Sequence, residues 1–211
     1  MQLLRIDSSA RHAGSQSRQI GDLFESLWTD RFNAGNVTRR DLASQSVPHI
    51  APLTISGMFS PPEQRTPDMR VALSESDTLI AEIAAANDLL ITLPMYNFNV
   101  PSSLKAWIDQ VSRIGHTFDF DGQHFTGLLR GRRAFVVVAY GAGGYASGEG
   151  FAAANFVEPY LKFLLGFLGF DSVQVFNVQA TNTDPANVPA LREALRAEMH
   201  RALHHATTAA A

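Results

Sequence analysis

A chain of 211 residues, 45% apolar and 18% charged, is long enough to bury the core of one α/β domain and too apolar to be disordered or fibrous. Its formal charge of −3 gives no global field for nucleic acid or acidic lipid, so any anion must be held locally. With no cysteine there is no disulfide framework, thiolate nucleophile or iron–sulfur cluster, and redox chemistry would have to arrive with a cofactor.

Residues 2–6 read as a first strand, entered without the long apolar stretch of a signal peptide, so a cytoplasmic location is expected. The segment Asp7 to Arg18 brings four serines, a glycine and two arginines before Ile20, Leu23, Phe24 and Leu27 begin a helical stripe. Such a loop gathers O–H donors, free N–H groups and a positive dipole end at one point, as an anion site requires. Ser15 or Ser17 could equally cap the helix with nothing bound. There is no Walker A pattern and no spaced GxGxxG.

Residues 36–42 form a polar second strand, expected at a sheet edge. Residues 43–64 carry Pro48, Pro52, Pro61 and Pro62 and read as an ordered excursion over the surface. Thr66-Pro67 is a helix start, and Leu73, Leu79, Ile80, Ile83 and Ala84 give that helix its apolar face. The run Leu89–Leu93 has strand length and stops at Pro94. The loop beyond it, Met95 to Val100, places Tyr96 and Phe98 among amides; the aromatics either fill the core or face a ligand. Pro101 suits the first position of the next helix, whose stripe is Leu104, Trp107, Ile108 and Val111.

Thr117 to Gly127 breaks the α/β rhythm, and its phenylalanines around Asp121-Gly122 predict a hairpin. Phe118, Phe120 and Phe125 on one side must either fold onto their own domain or cover a neighbouring subunit. His116 and His124 are expected to pack or hydrogen-bond, because nothing pairs them at metal-ligand spacing. Residues 134–139 are a continuous strand run that opens into Tyr140–Gly150, with five glycines. This stretch is either a flexible loop or a place where backbone N–H groups approach a ligand closely. Val157 to Leu168 predicts a core helix with a glycine cap, residues 172–178 a fifth strand, and residues 188–206 a last amphipathic helix ending near His204-His205. Five strands alternating with helices imply a parallel sheet with right-handed crossovers.

The stretch PMYNFNVPSSLKAWIDQ, Pro94 to Gln110, resembles the signature of the FMN-dependent NADH:quinone oxidoreductases, also called aromatic azoreductases, of the flavodoxin-like superfamily; a looser similarity covers most of the chain. The resemblance implies one flavodoxin-like FMN-binding domain over residues 1–211, α/β and doubly wound, with strand order 2-1-3-4-5, helices on both faces and an inserted aromatic hairpin. It implies an FMN phosphate at Ser9 and Ser15-Gln16-Ser17. Flavin contacts would come from Met95, Tyr96, Asn97 and Phe98, with the Asn97 amide addressing the ring, and from Ala139, Tyr140, Gly141 and Ala142 at the ring edge. Many relatives carry Ser-Arg-Gly-Gly and a nearby histidine at that edge. Ala139-Tyr140-Gly141-Ala142-Gly143-Gly144 replaces them here, which leaves charge at flavin N1 and O2 to backbone amides.

The resemblance further implies a homodimer with the active pocket at its interface and a substrate pocket drawn from Phe98, Phe118, Phe120 and Phe125. Two electrons would pass from NADH or NADPH through FMN to quinones or azo compounds, with solvent supplying the protons and no metal, nucleic acid or membrane involved. A flavodoxin-like electron carrier would be more acidic and keep its ring edge open. A phosphodiesterase would need a metal cluster or a catalytic triad, and the spacing offers neither.

Overall fold

Leu89–Leu93 and Ala134–Ala139 are apolar at every position but Thr92, a pattern that only strands covered on both faces can use. In the computed structural model, which describes residues 1–33 and 35–204, they lie in β3 (Asp88–Pro94) and β6 (Arg133–Ala139). With β1 (Gln2–Asp7), β2 (Asn36–Asp41) and β7 (Ser172–Val178) they make a parallel sheet of order β2-β1-β3-β6-β7. Taken in chain order, these are strands 2-1-3-4-5, as expected. Ile6, Ile91, Val136 and Val175 lie side by side across the register.

The period-2 pleat divides the core. Leu4, Ile6, Ile91, Val136 and Val138 face a layer made by α3 (Pro67–Ala85), α4 (Ser102–Val111) and α5 (Val157–Leu168). Leu3, Leu90, Phe135 and Val137 face α1 (Gln16–Arg31) and α6 (Val188–His204). His205 and the alanine-rich tail lie outside the described residues, so the expected helix end at residue 206 does too. Among the described residues no helix is long and apolar enough to cross a membrane.

Local chemistry sets the element ends. Thr66 accepts the Met69 N–H and precedes Pro67 at the start of α3, and Gly169 at φ +102 caps α5. Pro101 stands one position earlier than expected: it is the cap residue of α4, and its carbonyl accepts the Lys105 N–H. The excursion at 43–64 contains a helix that periodicity did not reveal, α2 (Pro52–Phe59). It buries only Thr54 and Gly57, and Gly57 brings it onto Leu73 of α3, so it packs by smallness and has no apolar stripe.

The expected hairpin is present as β4 (Phe118–Phe120) and β5 (Phe125–Gly127). Asp121 Oδ1 accepts the N–H groups of Gln123 and His124, and Gly122 takes φ +97 to close the turn. Its base is docked on its own chain. A Cβ on Gly127 would lie 2.3 Å from Gly169 N, and Leu129 N donates to Leu168 O.

Candidate functional site

The loop after β1 is shaped by the helix it feeds. Ser15 caps α1, accepting the Arg18 N–H, and Ser17 Oγ lies 3.2 Å from Ser15 Oγ. Both hydroxyls are buried, as is Ser9, whose Oγ accepts the Arg11 N–H. Ser15 and Ser17 carry two O–H hydrogens between them and spend one on each other, so one is free for an acceptor in the adjoining space. Arg18 fixes the cradle: its guanidinium donates to Ser9 O at 2.7 Å and to both Asp41 oxygens at 2.6 and 3.0 Å. Burial raises the Asp41 pKa, but the Arg18 hydrogen bonds and the Ala43 N–H outweigh it and hold the carboxyl below its ordinary 3.8.

The loop after β3 is a tight turn in which Tyr96 and Asn99 exchange both backbone hydrogen bonds at 3.0 Å. Its two central residues, Asn97 and Phe98, have φ +46 and +69. Asparagine tolerates that region; phenylalanine does not, and the left-handed backbone costs roughly 1–2 kcal/mol there. The strained turn leaves Phe98 51% exposed.

The loop after β6 corrects one expectation. Tyr140 does not flank the crevice: one step along the pleat from Ala139, its side chain enters the core with Val136 and Val138 and stacks on Tyr145 at 5.3 Å. Burial pushes its phenol up to about 12, so it stays neutral. Ala142 also serves the scaffold, its carbonyl accepting the Ala180 N–H. Ala139 and Gly141 do face the crevice, and Asn182 sits over Gly141 so closely that a Cβ there would meet Asn182 Nδ2 at 2.8 Å.

Together these loops enclose a cavity of about 340 Å³ at the carboxyl edge of the sheet. Ser9, Ser15, Gln16 and Ser17 line one end, with Arg11 and Gly14; Pro94, Met95, Tyr96, Ala139 and Gly141 line the other. Thr181 and Asn182, from the loop after β7, complete it and were not anticipated. The polar run Gln179–Asp184 past a strand end was the available signal, but an edge strand gave no reason to bring it inward. Hydroxyls and a helix N-terminus at one end and an apolar, aromatic wall at the other fit a phosphate ester with a planar ring, as in FMN.

A second cavity of about 820 Å³ adjoins the first across Tyr96, which lines both. Asn97, Val100, Lys105, Phe156 and Tyr160 are among its walls. The hairpin phenylalanines line neither cavity within one chain. Phe118 and Phe125 pack on Phe167 of α5 at 4.9 and 5.6 Å, and Phe120 stacks on Phe125 at 4.5 Å. His116 Nε2 accepts from Arg113 Nη2 at 2.9 Å, since a guanidinium can only donate. No group of three metal-ligating side chains occurs among the described residues.

A parallel 2-1-3-4-5 sheet with its cleft at the carboxyl edge defines a flavodoxin-like protein, and a family model described as "Flavodoxin-like fold" matches residues 1–203. An FMN-dependent NADH:quinone oxidoreductase of Xanthobacter autotrophicus is 53% identical over 173 residues, 82% of this chain and 83% of the relative. One from Nostoc punctiforme is 39% identical over 192 residues, 91% and 93% of the two chains. This chain belongs to the family of the FMN-dependent NADH:quinone oxidoreductases. Among solved structures, an FMN-dependent NADH-azoreductase from Bacillus anthracis in complex with FMN shares the fold, with a TM-score of 0.85 at 24% identity, covering 97% of this chain and 100% of that one. The azoreductase AzrA superposes with a TM-score of 0.86 at 19% identity over 96% and 99% of the chains.

Proposed function

We propose that this chain is an FMN-dependent enzyme that carries two electrons from NADH to quinones and reductively cleaves aromatic azo compounds. The observation that supports it is the meeting of the loops after β1, β3, β6 and β7 in one cavity with a hydroxyl cradle at one end and an aromatic wall at the other. In this reading Ser9, Ser15, Gln16 and Ser17 hold the phosphate of FMN. Met95, Tyr96, Asn97 and Phe98 border the ring, together with Ala139 and Gly141.

FMN bound there supplies reversible two-electron exchange between a nicotinamide and an acceptor. The chain supplies the setting. The cradle donates hydrogen bonds at the positive end of α1, which fixes one end of the ligand. Gly141, with no side chain, lets backbone and the Asn182 amide come close to the ring edge. The second cavity, reached across Tyr96, gives the nicotinamide and then the acceptor a shared apolar seat, and the turn at Asn97-Phe98 presents an aromatic face beside it. Solvent delivers the protons; NADPH is an alternative donor.

We further propose a cytoplasmic homodimer. Phe120, Phe125 and Phe163 are exposed together on the hairpin and α5, an apolar face that a second copy would cover. The visible spectrum of the purified protein tests the activity. Yellow bands that bleach with anaerobic NADH and return with benzoquinone are expected. A protein that stays colourless after FMN is added excludes the flavin.

A further inference from the structure

Gln16 is the first residue of α1 and lines the cradle, and its amide is held from far along the chain. Arg192 Nη2, on α6, donates to Gln16 Oε1 at 3.1 Å and to Gln19 Oε1 at 2.6 Å. The direction of these bonds is fixed by chemistry: a guanidinium has no acceptor, so both glutamines must turn their carbonyl oxygens toward it. The Gln16 NH₂ group is thereby directed away from Arg192.

The charge census beside the cradle adds to this. Arg5 is matched by Asp7, Asp22 and Glu25, Arg18 by Asp41, and Arg39 by Glu25. Three arginines thus meet four carboxylates, while Arg11, which lines the cradle, is exposed and makes no ion pair among the described residues. Arg192 is held differently, by side-chain amides. Among the described residues it makes no ion pair, its two acceptors are neutral amides, and its Nε is buried without a partner.

We propose that Arg192 is a positioning residue for the phosphate end of the cofactor site: it turns the Gln16 amide so that its N–H groups face the cradle. This rests on the cradle being the FMN phosphate site. Riboflavin, which has the ring but not the phosphate, is the discriminating probe.

FMN and riboflavin are titrated separately into the full chain, followed by quenching of flavin fluorescence, for the wild type, Arg192→Met, Gln16→Ala and the double variant. Arg192→Met is expected to weaken FMN about three- to tenfold, the range of one or two lost hydrogen bonds, and to leave riboflavin unchanged. In the Gln16→Ala background the same substitution should change FMN affinity by less than about twofold, because its effect passes through that amide. If Arg192→Met does not fold, Arg192→Lys carries the test: one ammonium cannot hold two carbonyls in a guanidinium's geometry, and FMN but not riboflavin should weaken. A folded Arg192→Met with unchanged FMN affinity overturns the proposal. So does an equal loss for both ligands, or an undiminished loss in the Gln16→Ala background. A wild type that takes up neither flavin overturns the flavin reading itself, whereas a wild type that binds FMN as well as its variants do overturns only the role of Arg192.

Discussion

Beneath the cradle lies an ionic cluster built around a buried arginine. Arg5 is 3% exposed, with Nε on Asp7 at 3.1 Å and Nη1 on Asp22 at 2.7 Å and Glu25 at 3.1 Å, while Thr92 Oγ1 donates to Asp7 at 2.6 Å. Removing the cation leaves the buried Asp7 carboxylate with the Thr92 hydroxyl and only the longer contact to Arg18 at 3.7 Å, so Arg5→Met should cost about 3–5 kcal/mol in urea unfolding. Asp41 gives a pH signature. Its folded pKa lies below 3.8, so its pairing stabilises above the ordinary carboxylate range and is lost as pH falls through the folded value. Asp41→Asn should therefore lower the melting temperature at neutral pH and converge with wild type in acid. Replacing Ser9 and Ser17 by alanine should weaken FMN by about tenfold or more, two hydrogen bonds to an anion, with little change in the rate of reduction by NADH once FMN is saturating. Unchanged FMN affinity in that double variant would refute the phosphate site. The serines were reachable from sequence because a hydroxyl-rich helix start is a ready anion site and the family resemblance favoured that reading over plain capping. The direction of Tyr140 could not, because it depends on the phase of a pleat that ends at Ala139, and a shift of one residue turns a side chain from crevice to core.

Strands and most helices were legible because each has its own signal: continuous apolar runs for β3 and β6, a Thr-Pro start for α3, a left-handed glycine ending α5. The helix α2 lacked such a signal, since it touches α3 through Gly57 and Thr54 and exposes Leu53, Ile55 and Phe59. The hairpin was predicted as an element, but its seat was not. It rests on two glycines whose backbones meet, a contact no periodicity encodes. Gly127→Ala should force these backbones apart at a cost of about 1–3 kcal/mol, typical of overpacking. Amide exchange should then quicken across Phe118–Gly127 first; protection equal to wild type would mean that the hairpin is held elsewhere.

At the scale of the molecule the sheet separates two apolar layers, yet one outer surface keeps large aromatic side chains in water. Phe125 is 61% and Phe163 73% exposed, beside Phe120. We expect sedimentation velocity to give a dimer at micromolar concentration, and Phe125→Ser with Phe163→Ser to shift it toward monomer while leaving the circular dichroism unchanged. A wild-type monomer at that concentration would argue against an active pocket shared between subunits. Strand order came from resemblance to a family, since periodicity gives element type and never adjacency. Adjacency also explains why Thr181 and Asn182 escaped notice: they reach the cavity because β7 lies beside β6.

The walls of that cavity run from Ser9 to Asn182, and Arg192 steadies the cradle from further still. A growing polypeptide emerging from the ribosome cannot close this cavity until β7 and α6 have joined the sheet. Pigmentation is therefore a record of sheet closure: products cut short before β7 should stay pale, and bound cofactor should shelter chains that carry β7 and α6 from proteolysis by mass action.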